Sequence, residues 1–345
     1  MELWLDAVLI VLFALLIDRF VGELPNRFHL LRWIGNVVGW LDERVKNRAS
    51  RRTRFAGFAS YLIVFLLFWF ILMSICAAVR YLSGDISADI GTVTIPVGEI
   101  LWLFTVAFMF KLTFAIFSFR KHCKPIESDL IEWKTEDAAD KVQMIVSRDT
   151  KGMDEAHIAS SCCETISENL VDSVISPTFY FGLFGLTGAI MFRCANLMDA
   201  MWGYLNDKYS DLGRFVAKFD DALGYLTSRM SPVFVIIGSS ILRMNNKGIV
   251  DAAKNEHGKT PSPNSGWPMT ATAAALEISM EKKDVYVMGI GPLPKVKDIS
   301  RCYRLIEVTS IVFLLVVSLP IFALLGIHVQ VFVEDKIAFL WGLLF

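Results

Sequence analysis

The sequence predicts an all-α polytopic membrane protein. The expected architecture is a helical bundle of about four to five spans, with short membrane-entering segments and a cytoplasmic-face active site. Three observations predict it. The 345 residues are 54% hydrophobic yet still 20% charged, and the mean hydropathy is +0.49. Apolar runs near the membrane-spanning length alternate with stretches rich in Asp, Glu, Lys and Arg. Basic residues then collect in alternate loops.

The runs 3–21, 57–79, 99–119 and 307–327 meet or approach the length that a membrane helix needs. The tail 336–345 is short enough for a half-span or an interfacial segment. Glu2 and Asp6 replace the basic start of a secretory leader, so the first run reads as a retained helix. Arg44, Lys46, Arg48, Arg51, Arg52 and Arg54 place the loop after the first span in the cytoplasm. Asp85, Asp89 and Glu99 against Arg80 place the next loop outside. Arg120, Lys121 and Lys124 then return the chain inside, at the start of a long polar region, 120–306. The runs 177–192 and 231–242 are shorter, and full crossings would put the polar stretch 193–230 outside. They read instead as segments that enter the bundle without crossing. Phe28, Leu31, Ile34, Val38 and Leu41 recur at helical spacing, which predicts an amphipathic helix on the cytoplasmic surface. With no repeat and no low-complexity linker, residues 1–345 read as one integral membrane domain in the plasma membrane.

A net charge of −1 gives no reason to expect a nucleic-acid partner. The cysteines at 76, 123, 162, 163, 194 and 302 show no paired spacing and read as reduced thiols. His122, Cys123 and His157 match no zinc pattern. No Walker-type loop, nucleophile elbow or Rossmann fingerprint appears.

Four polar clusters carry the chemistry. The first is Asp18, Gly22, Glu23, Pro25, Asn26, His29 and Arg32, at the inner end of the first span. A membrane-edge turn with snorkelling charges is its plain alternative. The second lies in 153–175, read as one helix, where Glu164, Glu168 and Asp172 recur every four residues and so share a face. Nothing at that spacing neutralises them. A row of acids in so apolar a chain calls for a cation, and Mg²⁺ with phosphate oxygens fits; a solvated helix face is the alternative. Asn169 adjoins the row, and Arg148 and Asp149 precede it. The third cluster, Arg193, Asn196, Asp199, Gly203 and Tyr204, forms one helical face where an Asn and an Asp are expensive unless engaged. Pairing of Asp199 with Arg193 is the alternative. The fourth is Ser262 to Pro268, including Asn264, Gly266 and Trp267. Two prolines and a glycine predict a rigid loop, with a helix beginning at Met269. Backbone N–H groups there suit an anion, and Trp267 offers a flat face to a ring; a structural turn is the alternative.

Together these clusters resemble the membrane-bound CbiB family of cobalamin biosynthesis, called CobD in some organisms. The resemblance covers nearly the whole chain. It runs through Asp18, Gly22–Pro25, His29–Gly35, Ser147–Thr150, Glu164–Thr165, Glu168–Asn169, Val171–Asp172, Pro177, Asn196, Asp199, Met201, Gly203–Tyr204, Asp220–Asp221 and Ser262–Pro268. Glu23 stands for the family's Asp, Leu30 for Pro, Ser265 for Ala, Gly224 for Asn, and Thr227–Ser228–Arg229 for P-A-R.

The resemblance implies an adenosylcobinamide-phosphate synthase. This activity joins a free propionate of adenosylcobyric acid, a corrinoid, to the amine of 1-amino-2-propanol phosphate or a related aminoalcohol, with ATP and Mg²⁺. It implies Glu164, Glu168 and Asp172 for Mg²⁺–ATP, with Asp199 as a further acid. Asn169, Asn196 and Asn264 would orient polar groups. Arg32, Arg148 and Arg193 would bind phosphate or corrinoid side-chain groups, with Tyr204, Ser262, Gly266 and Trp267 in substrate contact. His29 or an acid would accept the proton of the attacking ammonium. A homo-oligomer, or association with other corrinoid enzymes, stays open. The competing readings are a corrinoid or small-molecule transporter, since broken apolar segments with Asn and Asp also mark substrate paths, and a corrinoid-binding module without catalysis.

Overall fold

The computed structural model describes residues 2–45, 51–90 and 93–344. Lys46 and Arg48, used above to orient the chain, lie outside the described residues, as does Phe345 of the apolar tail. The chain packs as two compact units, each assembled from separated segments. One comprises residues 1–114, 177–220 and 315–345; the other comprises 115–176 and 221–314. The expected polar region 120–306 is therefore shared, with 177–220 belonging to the first unit.

In the first unit, α1 (Leu3–Phe20) packs against α4 (Val97–Lys111). The long α3 (Arg51–Ser83) packs against α4, against α9 (Leu186–Trp202) and against α15 (Ile327–Leu344). A small antiparallel hairpin, β1 (Ala88–Ile90) with β2 (Val93–Ile95), joins α3 to α4 and sets Asp89 opposite Thr94. α2 (Leu30–Arg44) buries Leu30, Ile34, Val38 and Leu41 and leans on α9, while Trp33 and Trp40 stay exposed. Ile34, Val38 and Leu41 stand on the buried face as the spacing predicts, whereas Phe28 falls in the turn before the helix and is exposed, and Leu30 takes the buried place expected of Leu31. Phe181 stacks on Phe110 with ring centroids 3.5 Å apart and meets Phe322 at 4.2 Å, which anchors the short α8 (Ser176–Phe184) in the core.

The spans differ from expectation in four places. Among the described residues, two helices are long and apolar enough to cross a membrane, Thr53–Ser83 and Val296–Leu343. The second joins the expected span 307–327 and the tail 336–345 into one helix of 48 residues. It runs through α13 (Val296–Phe313), α14 (Leu319–Ile321) and α15, with π-helical turns at Leu314–Ser318 and Phe322–Gly326 on either side of Pro320. A proline inside a helix removes a backbone donor, and a wider turn relieves the lost bond. The run 99–119 is cut short because α4 ends at Lys111; Thr113 then caps the end, its hydroxyl donating to the Phe110 carbonyl at 2.7 Å. The run 231–242 is no separate segment but the end of α10 (Arg214–Ile241), a helix of 28 residues.

The run 177–192 breaks at Gly185. Its φ of 61° and ψ of −149° fall in a region that only glycine enters cheaply. The break reverses helix into helix and frees the Leu186 N–H, which donates to the Gln330 side-chain oxygen at 2.9 Å.

In the second unit, α7 (Glu155–Leu170) is central. It packs against α5 (Ser118–Ile131), α6 (Thr135–Gln143), α12 (Gly266–Leu276), α13 and the strand β3 (Met280–Lys282). Small residues allow this crowding, since Ala159, Ser160, Ser161, Cys162 and Cys163 are all buried. Arg120 of α5 and Glu307 of α13 form an ion pair at 2.6 Å. β3 pairs antiparallel with β4 (Tyr286–Met288). α11 (Ile249–Glu256) packs on α12.

Gly185→Ala is expected to lower the thermal denaturation midpoint of the detergent-solubilised protein. The strained backbone and the approach of Gln330 to that position together set a cost of about 1–3 kcal/mol. An unchanged midpoint would count against the break.

Candidate active site

The second unit gathers the acids of α7 beneath the β3–β4 hairpin. Glu164 is 2% exposed. A carboxylate so buried must be neutralised or it protonates. Arg148 does this with both terminal nitrogens, Nη1 donating to Oε1 at 3.3 Å and Nη2 to Oε2. The Ser160 hydroxyl donates to Oε1 at 2.9 Å and the Tyr286 hydroxyl to Oε2 at 2.7 Å. Ser160 Oγ also accepts the Glu281 N–H at 2.8 Å, and Arg148 Nη1 donates to the Glu281 carbonyl at 3.3 Å. The hairpin is thus fastened to α7 by the groups that satisfy Glu164. Burial and the nearby carboxylate push the Tyr286 hydroxyl pKa up, which keeps it a donor. Glu164 is therefore neutralised after all, by a residue 16 positions earlier that helical spacing does not show.

Glu168, one turn on, differs. Its side chain is exposed, and among the described residues it makes no hydrogen bond or ion pair. Surrounding protein desolvates its carboxyl and raises the pKa; Lys282 opposes that, Glu164 adds to it, and Arg148 opposes it. Asp172 falls in a turn of another type. Residues Val171–Ile175 are π-helical, so α-helical i+4 spacing no longer governs its place. The cause is Pro177, which has no N–H for the Ser173 carbonyl; the Ala115 N–H takes that carbonyl instead at 3.1 Å. The expected single helix over 153–175 thus begins at Glu155 and changes type at Val171.

Among the described residues, no three His, Cys, Asp or Glu side chains group closely enough to hold a metal ion. The three-carboxylate Mg²⁺ cage expected of Glu164, Glu168 and Asp172 is not formed in this conformation. His157 turns Nδ1 to Asp154 at 2.7 Å, with Nε2 3.8 Å from Glu281. Asn169 folds back on its own helix, donating to the Thr165 carbonyl at 2.9 Å and accepting from Ser173 Oγ at 2.8 Å.

Beside Arg148 lies a cavity of about 490 Å³, lined among others by Lys151, His157, Glu281, Lys282 and Lys283. Its three lysines are the cations that the reading of the sequence missed. Lys282 and Lys283 reach the site only through the hairpin, which no local pattern ties to α7.

The loop 262–268 is a built turn. Ser262 Oγ accepts the N–H groups of Asn264 and Ser265 at 3.2 and 3.4 Å. Buried Asn264 donates to the Asp221 carbonyl at 2.9 Å and accepts from Ser228 at 3.2 Å and Arg229 at 3.3 Å. Its amide is therefore occupied in joining the loop to α10. Gly224 makes room, since a Cβ there would sit 2.6 Å from Asn264 Nδ2. α12 begins at Gly266 rather than Met269, so Trp267 and Pro268 fall in its first turn, where a missing N–H costs no helical bond. Trp267 is not a free platform. His257 stacks on it at 4.2 Å, and the Arg229 guanidinium stands 5.2 Å from its centroid.

The first unit holds the other nominated residues. His29 precedes α2 as its cap residue, and Arg32 is exposed on the first turn. Burial lowers the His29 pKa; Glu23 opposes that, while Lys111 and Arg193 lower it further. The ring is thus held neutral at physiological pH. Arg193 is 8% exposed and donates to Asn196 Oδ1 at 3.4 Å. Asp199 is half-buried near the end of α9, and Tyr204 is exposed beyond it, 6.4 Å from the Tyr209 ring. Asp18 and Lys111, both buried, pair at 2.9 Å. Lys111 went unmarked in the sequence, although a charge inside an apolar run is a signal in itself.

These features define a helical protein with membrane-length helices and buried polar sites served by arginine, lysine and carboxylate. A family model described as CobD/Cbib protein matches residues 11–324. A probable cobalamin biosynthesis protein CobD of Methanothermobacter thermautotrophicus is 33% identical over 285 residues, 83% of this chain and 88% of the relative. One from Methanocaldococcus jannaschii is 32% identical over 313 residues, 90% and 97% of the two chains. The cobalamin biosynthesis protein CobD of Dehalococcoides mccartyi is 30% identical over 285 residues, 83% and 87%. No solved structure matches. The chain belongs to the CobD/CbiB family of cobalamin biosynthesis.

Two outcomes follow from the acids. Arg148→Ala leaves Glu164 buried and uncompensated, at a cost of about 3–5 kcal/mol, read as a lower denaturation midpoint. Glu168 behaves oppositely. The fold favours its neutral form, so its contribution to stability is full below the ordinary carboxylate range and is lost as pH rises through the raised value. Glu168→Gln stays neutral throughout. It is expected to melt with the wild type at about pH 4 and above it at about pH 7. Equal midpoints at both pH values would sink this account of Glu168.

Proposed function

We propose that this chain is an ATP-dependent amide ligase that joins adenosylcobyric acid to 1-amino-2-propanol phosphate, giving adenosylcobinamide phosphate. The observation that best supports the reading is the lysine-lined cavity beside the Arg148–Glu164 pair and the unengaged carboxylate of Glu168, in a chain of a cobalamin-biosynthesis family.

A carboxylate does not acylate an amine unless its oxygen is made a leaving group. In the proposed path the corrinoid carboxylate attacks the terminal phosphorus of ATP, forming an acyl phosphate and releasing ADP. The amine nitrogen then attacks the acyl carbon, phosphate departs, and the amine proton passes to water. Lys151, Lys282 and Lys283 hold phosphate oxygens, and Arg148, fixed by Glu164, adds positive charge. Glu164 is assigned as the anchor of Arg148 and Tyr286, since its oxygens are already occupied. Mg²⁺ takes one or two carboxylates together with substrate phosphates and retained waters, so a three-acid cage is not required. Glu168, with Asp172 nearby in sequence, would hold it, and it would offset triphosphate charge. Arg32, Arg193, Asn196, Asp199 and Tyr204 are assigned to substrate groups. Asn169, Ser262, Asn264, Gly266 and Trp267 shape the second unit's site. The spans and the exposed Phe28, Trp33 and Trp40 are assigned to lipid, with the site facing the cytoplasm.

The test uses detergent-purified full-length protein with adenosylcobyric acid, Mg²⁺–ATP and 1-amino-2-propanol phosphate, read by mass spectrometry. The expected result is the mass gain of the amide, dependent on ATP, with ADP as co-product. Glu168→Gln is expected to lower kcat about a hundredfold or more. Folded protein that forms no amide, with aminoethanol phosphate and the free aminoalcohols failing as well, would overturn the proposal. Corrinoid uptake into vesicles would then support the transport reading.

A further inference from the structure

Along α5 the second unit carries a groove whose residues take no part in the proposed ligation. Its volume is about 490 Å³, and Phe117, Arg120, Lys121, Lys124, Pro125 and Ser128 line it. Three cations and no acid stand on that wall. Arg120 is committed. Its Nε and Nη2 donate to the two carboxylate oxygens of Glu307 at 3.1 and 2.6 Å, and its guanidinium lies 5.4 Å from the centroid of the Tyr303 ring. Lys121 and Lys124 are exposed, and among the described residues neither makes a hydrogen bond or an ion pair. The acids of α5 do not answer them. Asp129 is buried and paired with Lys141, while Glu127 is off the groove wall and bridges to neither lysine.

Solvated lysines are ordinary on a protein surface; the level of these two is not. The apolar run 99–119 ends as α5 begins, and the apolar run 307–327 starts at Glu307 of α13. The Arg120–Glu307 pair sets these two transitions side by side. Both chain segments therefore pass between apolar and polar at the groove. On a helix of membrane-spanning length, that boundary is the level of the lipid headgroups. Phe117 and Pro125 add an apolar wall beside the lysines. A lysine ammonium brings three donors as a compact charge, which suits the oxygens of a phosphate.

We propose that this groove binds the headgroup of an anionic phospholipid, with Lys121 and Lys124 holding its phosphate oxygens and Phe117 against its glycerol and upper acyl chain. Two unpaired positive charges call for an anion. An apolar wall at the membrane boundary calls for an amphiphile rather than a free ion, and the anionic lipids of the cytoplasmic leaflet supply one. The reading is independent of the ligase.

The test is native mass spectrometry of the full-length protein in mild detergent, titrated with phosphatidylglycerol, with phosphatidylcholine and with the soluble sn-glycerol 3-phosphate. Phosphatidylglycerol is expected to bind about tenfold or more tightly than phosphatidylcholine, whose trimethylammonium opposes the lysines, and the soluble phosphate is expected not to bind in the same range. The double variant Lys121→Gln, Lys124→Gln is expected to bind phosphatidylglycerol about tenfold or more weakly, at an unaltered denaturation midpoint. The double variant Lys121→Arg, Lys124→Arg keeps the charge and is expected to keep the binding. The control Lys247→Gln, Lys254→Gln makes the same change of net charge on α11 and the turn before it, and is expected to bind as the wild type does. The single change Lys124→Gln carries the test should the glutamine pair fail to fold. Equal binding of the two lipids, equal loss in the α11 control, or undiminished binding in the folded glutamine variants would each overturn the proposal. So would sn-glycerol 3-phosphate binding as tightly as the lipid, which would make the groove a site for a free phosphate ester.

Discussion

Glu164 is the constraint around which the second unit is arranged. A carboxylate at 2% exposure cannot be left alone, and its oxygens are answered from three directions in the chain. Arg148 comes from the turn before α7, Ser160 from α7 itself, and Tyr286 from β4. Ser160 and Arg148 then bind the backbone of Glu281, so a strand of only three residues gains a fixed position. Two short strands form no stable hairpin by themselves. Their attachment to a buried ion pair supplies what the strands lack, and it brings Lys282 and Lys283 to the cavity beside Arg148.

The first unit solves the same problem in a more apolar setting. Glu334 of α15 is fully buried, and it accepts from Trp102 at 3.0 Å and from Gln330 at 2.7 Å while Arg80 approaches at 3.4 Å. Gln330 uses its oxygen on the Leu186 N–H that the Gly185 break exposes. One polar chain therefore ties α3, α4 and α15 to the start of α9. Such pairs add little net stability compared with a well-packed apolar core, but breaking one is costly. Their effect is to fix register among helices whose apolar surfaces would tolerate several packings.

What the sequence made legible follows from the range of the forces involved. The apolar length of α3 and the recurrence of Ile34, Val38 and Leu41 on α2 are local and stand in the structure, while Phe28 and Leu31 do not join that face because the helix begins only at Leu30. The one-turn spacing of Glu164 and Glu168 is also local. The helix changes type at Val171 because Pro177 removes a backbone donor, and proline arithmetic on the i−4 carbonyl would have found the π-turn. Lys111 was equally within reach as a charge in an apolar run. The Arg148–Glu164 pair and the Tyr286 contact, the latter across 122 residues, have no local signature. Asn264 was singled out for its company of proline and glycine, yet the structure spends its amide on joining the loop to α10. An unusual residue in a tight turn marks a constraint, and the sequence does not say whether the constraint is structural or chemical.

The acids of the two units divide by how their oxygens are met, and that division separates structure from chemistry better than position does. Glu164, Glu307 and Glu334 are buried and held by arginine or by several donors. Their charges are offset within the fold, and a ligand would have to break bonds to use them. Glu168 is held by nothing among the described residues. A fold gains nothing in stability from that arrangement, because surrounding protein desolvates the carboxyl without answering it. Sites that bind or react do carry such costs, since a group already satisfied by the protein has no free energy left to offer a ligand. On that criterion Glu168 belongs with the lysines of the second unit's cavity, while Glu164, the most conspicuous acid in the sequence, is the one that holds the others in place.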